Sequence, residues 1–99
     1  MDSDFKVFWT DEAINNLESI LDYLNTRWTK REIDNFRKKL GKQINLIENN
    51  PRLFPLSNYN KRLRKAVISK QTTIFYELSG HDIYLVYLFN NNQSIDRIK

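Results

Sequence analysis

The apolar positions of this chain follow two different periods. Ala13, Leu17, Ile20, Leu21, Leu24 and Trp28 recur at spacings of three and four, and so do Ile33, Phe36, Leu40, Ile44 and Ile47. That spacing places each set on one face of an amphipathic helix. On either side of these segments the period shortens toward two. "FKVFW" (Phe5 to Trp9) reads as a short strand, and "RLRKAVIS", "TTIFYELS" and "DIYLVYLF" read as three more. Short turns at "KQ" and "GHD" separate the last three and predict an antiparallel meander.

Capping residues sharpen the helix boundaries. Thr10 offers an N-cap, and Asp11 and Glu12 follow in the first turn, where the helix dipole favours negative charge. Thr29 opens "TKRE", a capping box in which Thr29 and Glu32 each satisfy the other's backbone. "ENNP" ends the second helix, because Pro51 lacks an amide hydrogen and disfavours helix in the residue before it. The stretch "NNPRLFPLSNYN" is a loop with two prolines, and Leu53 and Phe54 are expected to tuck onto the core. The predicted fold class is α+β in the order βααβββ. A two-helix antiparallel hairpin packs on a mostly antiparallel four-stranded sheet, and residues 1–99 form a single domain.

Composition narrows the function classes. With 40% hydrophobic and 13% aromatic residues the chain has material for one packed core. There is no cysteine, so disulfides, a thiolate nucleophile and cysteine metal sites are excluded. The opening "MDSDFKVFWT" carries two acids and no long apolar run, so no signal peptide is expected. No segment approaches the roughly 20 apolar residues that span a bilayer, and the expected setting is the cytoplasm. The net charge of +4 is uneven: the second half holds eight Lys and Arg against three acids, densest at Lys61, Arg62, Arg64 and Lys65. Such a run fits an acidic partner or a solvated surface equally well.

Few residues suggest catalysis on their own. His81, the only histidine, falls in a hairpin tip and is read as structural. No spacing suits a zinc site, and Gly41 and Gly80 cannot build a phosphate-binding loop, so no metal or cofactor is expected. In the second strand Arg64, Ala66 and Ile68 alternate with Leu63, Lys65 and Val67, so one of Arg64 and Lys65 turns toward the helices. It is either a cleft-lining cation or an edge charge that blocks aggregation. In the last strand Ile83, Leu85, Tyr87 and Phe89 are expected on one face, with Tyr84, Val86 and Leu88 on the other. Apolar residues on both faces predict a central strand, with Tyr76, Tyr84 and Tyr87 read as core rather than base-stacking residues.

Taken together, "VFWTDEAINNLESILDYL", "NFRKKLGKQINLIENNPRLFP", "LRKAVISKQTTIFYEL" and "IYLVYLFNNNQ" resemble the RelE/ParE superfamily of bacterial toxins over nearly the whole length. The resemblance implies the βααβββ fold and the toxin of a type II toxin–antitoxin pair. Its partner would be a small antitoxin with a disordered, acidic C-terminal segment, in a hetero-oligomer. RelE-like members cleave messenger RNA on the ribosome, whereas ParE-like members inhibit DNA gyrase.

The resemblance also implies which residues would serve a nuclease. Arg64 matches one cationic position of the RelE-like site, but Ala66 stands where a lysine is usual, Thr73 where an arginine precedes "IFY", and Asn92 where another arginine follows the last strand. No tyrosine comes after Asn92. Asparagine cannot neutralise a phosphate as arginine does, and each lost donor is worth roughly 3 kcal/mol of transition-state stabilisation. The resemblance is therefore closer to ParE-like members. Lys61, Arg62, Arg64, Lys65, Tyr87, Asn92 and Gln93 are the expected partner-binding residues. The runner-up is a ribosome-dependent endoribonuclease using Arg64, Lys65, Lys70 and Tyr87. A third reading is a weakened toxin that acts mainly as an antitoxin-binding module.

Overall fold

The computed structural model describes residues 4–69 and 72–90. The turn expected at Lys70 and Gln71, and Asn92 and Gln93, lie outside them. Strand β1 (Lys6–Trp9) leads into helices α1 (Asp11–Arg27) and α2 (Lys30–Asn49), and strands β2 (Arg64–Val67), β3 (Thr72–Ser79) and β4 (Asp82–Asn90) follow. The caps are as the sequence predicts. The Thr10 hydroxyl accepts from the Ala13 amide, and Thr29 and Glu32 form both halves of the capping box. No helix is long and apolar enough to cross a membrane among the described residues.

The four strands lie in the order β1-β4-β3-β2, with β1 parallel to β4 and the other pairs antiparallel. Strand β4 is thus central, as its two apolar faces predict. The helical stripes cover one face: Ala13, Ile20, Leu24, Ile33, Phe36, Leu40 and Ile47 form one cluster with Ala66, Ile74, Tyr76, Ile83, Leu85 and Leu88. Gly80 takes φ +61 at the first position of the two-residue β3–β4 turn, the conformation a type II′ hairpin needs there.

Strand β4 departs from the expected alternation. The register slips between Phe75 and Tyr76: Phe75 faces Tyr87 and Tyr76 faces Leu85, which leaves Val86 as an extra residue. This β-bulge exchanges the faces. Ile83 and Leu85 point to the helices before it and Leu88 and Asn90 after it, while Tyr87 and Phe89 turn to the outer face. The cause lies in β1, which ends at Trp9 opposite Leu85. Beyond that point α1 takes over the unpaired side of β4. The Thr10 hydroxyl donates to the carbonyls of Leu85 (2.8 Å) and Val86 (3.2 Å), and the Asn16 side-chain carbonyl accepts from the Leu88 amide (3.2 Å).

Two smaller expectations are also corrected. Strand β2 begins at Arg64 rather than Leu63, because Leu63 closes a turn by donating its amide to Asn60. Phe54 packs edge-on to Tyr76 (centroids 6.2 Å, 88°), but Leu53 is 64% exposed. The Leu53 amide bonds back to the Asn50 carbonyl, and this tight turn swings its side chain outward.

Candidate functional site

The α2–β2 loop, residues 50–63, has no regular element and is held by several polar anchors besides the packing of Phe54 and Leu63. The Pro55 carbonyl accepts from the Lys65 amide (2.9 Å) and the Ser57 amide donates to the Leu63 carbonyl (2.7 Å), so the loop pairs briefly along the edge of β2. Gln43 of α2 closes the same edge farther on by donating to the Val67 carbonyl (2.9 Å). Ser57 and Asn60 bond the amides of Tyr59 and Arg62.

The firmest anchors come from a cross-strand pair, Arg64 on β2 and Tyr76 on β3. The Tyr76 side chain is fully buried, and its hydroxyl donates to the Pro51 carbonyl at 2.6 Å. Nη1 of Arg64 donates to the Phe54 carbonyl at 2.7 Å and, more weakly, to the Arg52 carbonyl at 3.5 Å. Burial pushes the Tyr76 phenol up to about 12, against a smaller downward pull from the Arg64 charge. Carbonyls orient a guanidinium without neutralising it, so Arg64 keeps its charge while holding the loop.

Around this clamp lies a pocket of about 390 Å³ lined by Arg52, Leu56, Lys61, Arg62, Arg64, Glu77, Leu78 and Gly80. Of the expected partner-binding residues it brings together Lys61, Arg62 and Arg64. Lys65 is exposed and faces the opposite side of β2, level with Phe75 and Tyr87. Tyr87 is half-buried on that outer face, where Tyr84 stacks on Phe8 (5.6 Å, 25°). Of the three tyrosines only Tyr76 is a core residue. Arg64 is the residue that turns toward the helix-packed side.

The residues of a nuclease do not converge here: Arg64 sits on one face, Lys65 and Tyr87 on the other, and Lys70 lies outside the described residues. His81 is exposed at the hairpin tip; its carbonyl accepts from the Lys6 amide (2.9 Å) and its ring lies 5.8 Å from Phe5. No group of His, Asp and Glu among the described residues could hold a metal ion. Arg52 and Glu77 also line the pocket, although neither belongs to the basic run that the sequence singles out.

In structure the chain is similar to the chromosomal ParDE TA system from P. aeruginosa, with a TM-score of 0.74, 11% identity and coverage of 87% of this chain and 95% of that one. It is also similar to the E. coli DinJ–YafQ toxin–antitoxin complex, with a TM-score of 0.62, 13% identity and coverage of 90% and 94%. At such identities the likeness concerns the fold alone. No curated protein matches the sequence. The family model of the ParE toxin of type II toxin–antitoxin systems, parDE, matches residues 7–96, and the chain belongs to that family.

Proposed function

We propose that this toxin acts by protein binding on an essential target, DNA gyrase first among the candidates, and that a small antitoxin with an acidic C-terminal segment neutralises it in a hetero-oligomer. Lys61, Arg62 and Arg64 hold the acidic segment, Lys65 extends the positive surface around the β2 edge, and Asn92 and Gln93 add polar contacts. The observation that carries the reading is the placement of Arg64. Its guanidinium is tied to loop carbonyls on one side of the sheet, away from Lys65 and Tyr87 on the other. Cleavage beside a 2′-hydroxyl needs a base, an acid and cations gathered on one phosphate, and a divided set serves that poorly.

The test is a gyrase supercoiling assay run beside a ribosome-dependent message-cleavage assay on the purified protein. Inhibited supercoiling with intact message is the expected result. Message cut only when ribosomes are present would overturn it in favour of the endoribonuclease. Inactivity in both, with no growth arrest on expression, would leave the antitoxin-binding module.

A further inference from the structure

The near-even balance of charge in the first half of the chain hides a segregation between its two helices. Helix α1 carries four acids and one base, whereas α2 carries six bases and three acids. The polar residues of α2 are also ordered. Arg31, Asn35, Lys38, Lys42 and Asn45 recur at spacings of four, three, four and three, and all five are exposed. This stripe runs opposite the buried Ile33, Phe36, Leu40 and Ile47 and is about 21 Å long.

Three observations separate the stripe from an ordinary solvated face. First, its cations are unspent: the side chains of Arg31, Lys38 and Lys42 enter no hydrogen bond or ion pair among the described residues. Of the helix's acids, Glu32 is engaged in the capping box and Glu48 is half-buried, which leaves Asp34 alone beside the stripe. Second, Gly41 opens a gap in the helix surface next to Lys38, Lys42 and Asn45. It is exposed, its φ is not positive, and a Cβ there would meet nothing within 4 Å. Neither backbone conformation nor packing inside this chain calls for glycine, which weakens a helix relative to alanine. A bare stretch of helix between cations lets a partner's backbone come close. Third, the stripe has no aromatic or other large apolar side chain. Protein interfaces are built around such groups and are depleted in lysine, and a single nucleic-acid strand needs rings on which its bases stack. A duplex needs neither, because its phosphates are met by Lys, Arg and amide donors.

We propose that the exposed stripe of α2 binds the phosphate backbone of double-stranded DNA without regard to sequence. Arg31, Lys38 and Lys42 neutralise phosphates, Asn35 and Asn45 donate amide N–H groups to phosphate oxygens, and Gly41 lets one phosphate approach the helix. The stripe shares no residue with the pocket beside β2. The choice of DNA over RNA rests on the gyrase reading above, because gyrase works on duplex DNA.

The probe is a short fluorescein-labelled DNA duplex, titrated with the purified full chain and followed by anisotropy over a range of salt. The logarithm of the association constant is expected to fall against the logarithm of salt with a slope of about −3, as for three phosphates neutralised. Lys38→Gln and Lys42→Gln each reduce that slope by about one and weaken binding roughly threefold to tenfold. Gly41→Ala raises the melting temperature yet weakens binding, a pair of changes that a merely structural glycine would not show. Lys6→Gln, exposed on β1, leaves affinity unchanged. All four positions are exposed, and melting curves of the variants check folding. No binding at low salt, equal or tighter binding of the single strand or of an RNA duplex of the same sequence, an equal loss in Lys6→Gln, or a Gly41→Ala variant that binds as well as the parent would each overturn the proposal. The two readings fail separately, since binding is measured without gyrase. DNA binding with unimpaired supercoiling removes the gyrase reading alone. Inhibited supercoiling with no DNA binding removes the α2 surface alone.

Discussion

Arg62 and Arg64 stand two residues apart in one basic run, yet they inhabit unlike surroundings. Arg64 is half-buried on the helix side of β2 and bonded to two loop carbonyls, beside a tyrosine with no exposed surface. Arg62, like Lys61 and Arg52, sits on the exposed rim of the same pocket. The clamp holds the α2–β2 loop in place, and the rim supplies charge to whatever enters. A run of like charge is therefore not one functional unit. Its members divide according to which of them meets a buried backbone group that needs a donor.

Substitutions can break this contrast from the buried end outward. Tyr76→Ala should be the most damaging, removing a fully buried ring and the donor to Pro51 together, for a loss of about 3–5 kcal/mol in denaturant unfolding. Alkaline titration probes the same residue without mutation. A phenol whose folded pKa stands at about 12, above its ordinary value of 10.0, contributes in full below pH 10. That contribution is lost as the pH rises through 12 and amounts to roughly 2–3 kcal/mol. Tyr76→Phe should flatten this part of the stability profile.

Arg64→Ala should cost about 2 kcal/mol, since it strips a charged donor from the Phe54 carbonyl. Combined with Tyr76→Phe it should be non-additive, because both residues secure one loop. At the rim, Lys61→Ala and Arg62→Ala should change stability by less than about 0.5 kcal/mol. A rim substitution that destabilised as much as Arg64→Ala would erase the distinction between clamp and rim.

Much of the fold is legible in the residue pattern alone. Helices α1 and α2 follow from their stripes and their threonine caps, and β3 spans "TTIFYELS" as the alternation predicts. The second half of β4 is not legible in that way. Tyr87 and Phe89 look like continuations of Ile83 and Leu85, but β1 stops at Trp9, and beyond it Thr10 and Asn16 answer the backbone of β4 instead. Of the site, the charge of Lys61, Arg62 and Arg64 is plain from the chain, but the parts played by Arg52 and Glu77 are not. Arg52 comes from the start of the same loop, nine residues before Lys61, and Glu77 comes from strand β3.

The sequence by itself determined what depends on neighbours within a few residues: helical periods, caps, the Gly80 turn and the placement of positive charge. Each is settled by bonds and packing between positions three or four apart, or by one residue's backbone freedom. Only the tertiary structure decided which cation is clamped, which face Tyr87 takes and which residues line the pocket. Those outcomes turn on where a distant strand ends and which buried carbonyl lacks a donor, and no local pattern records either.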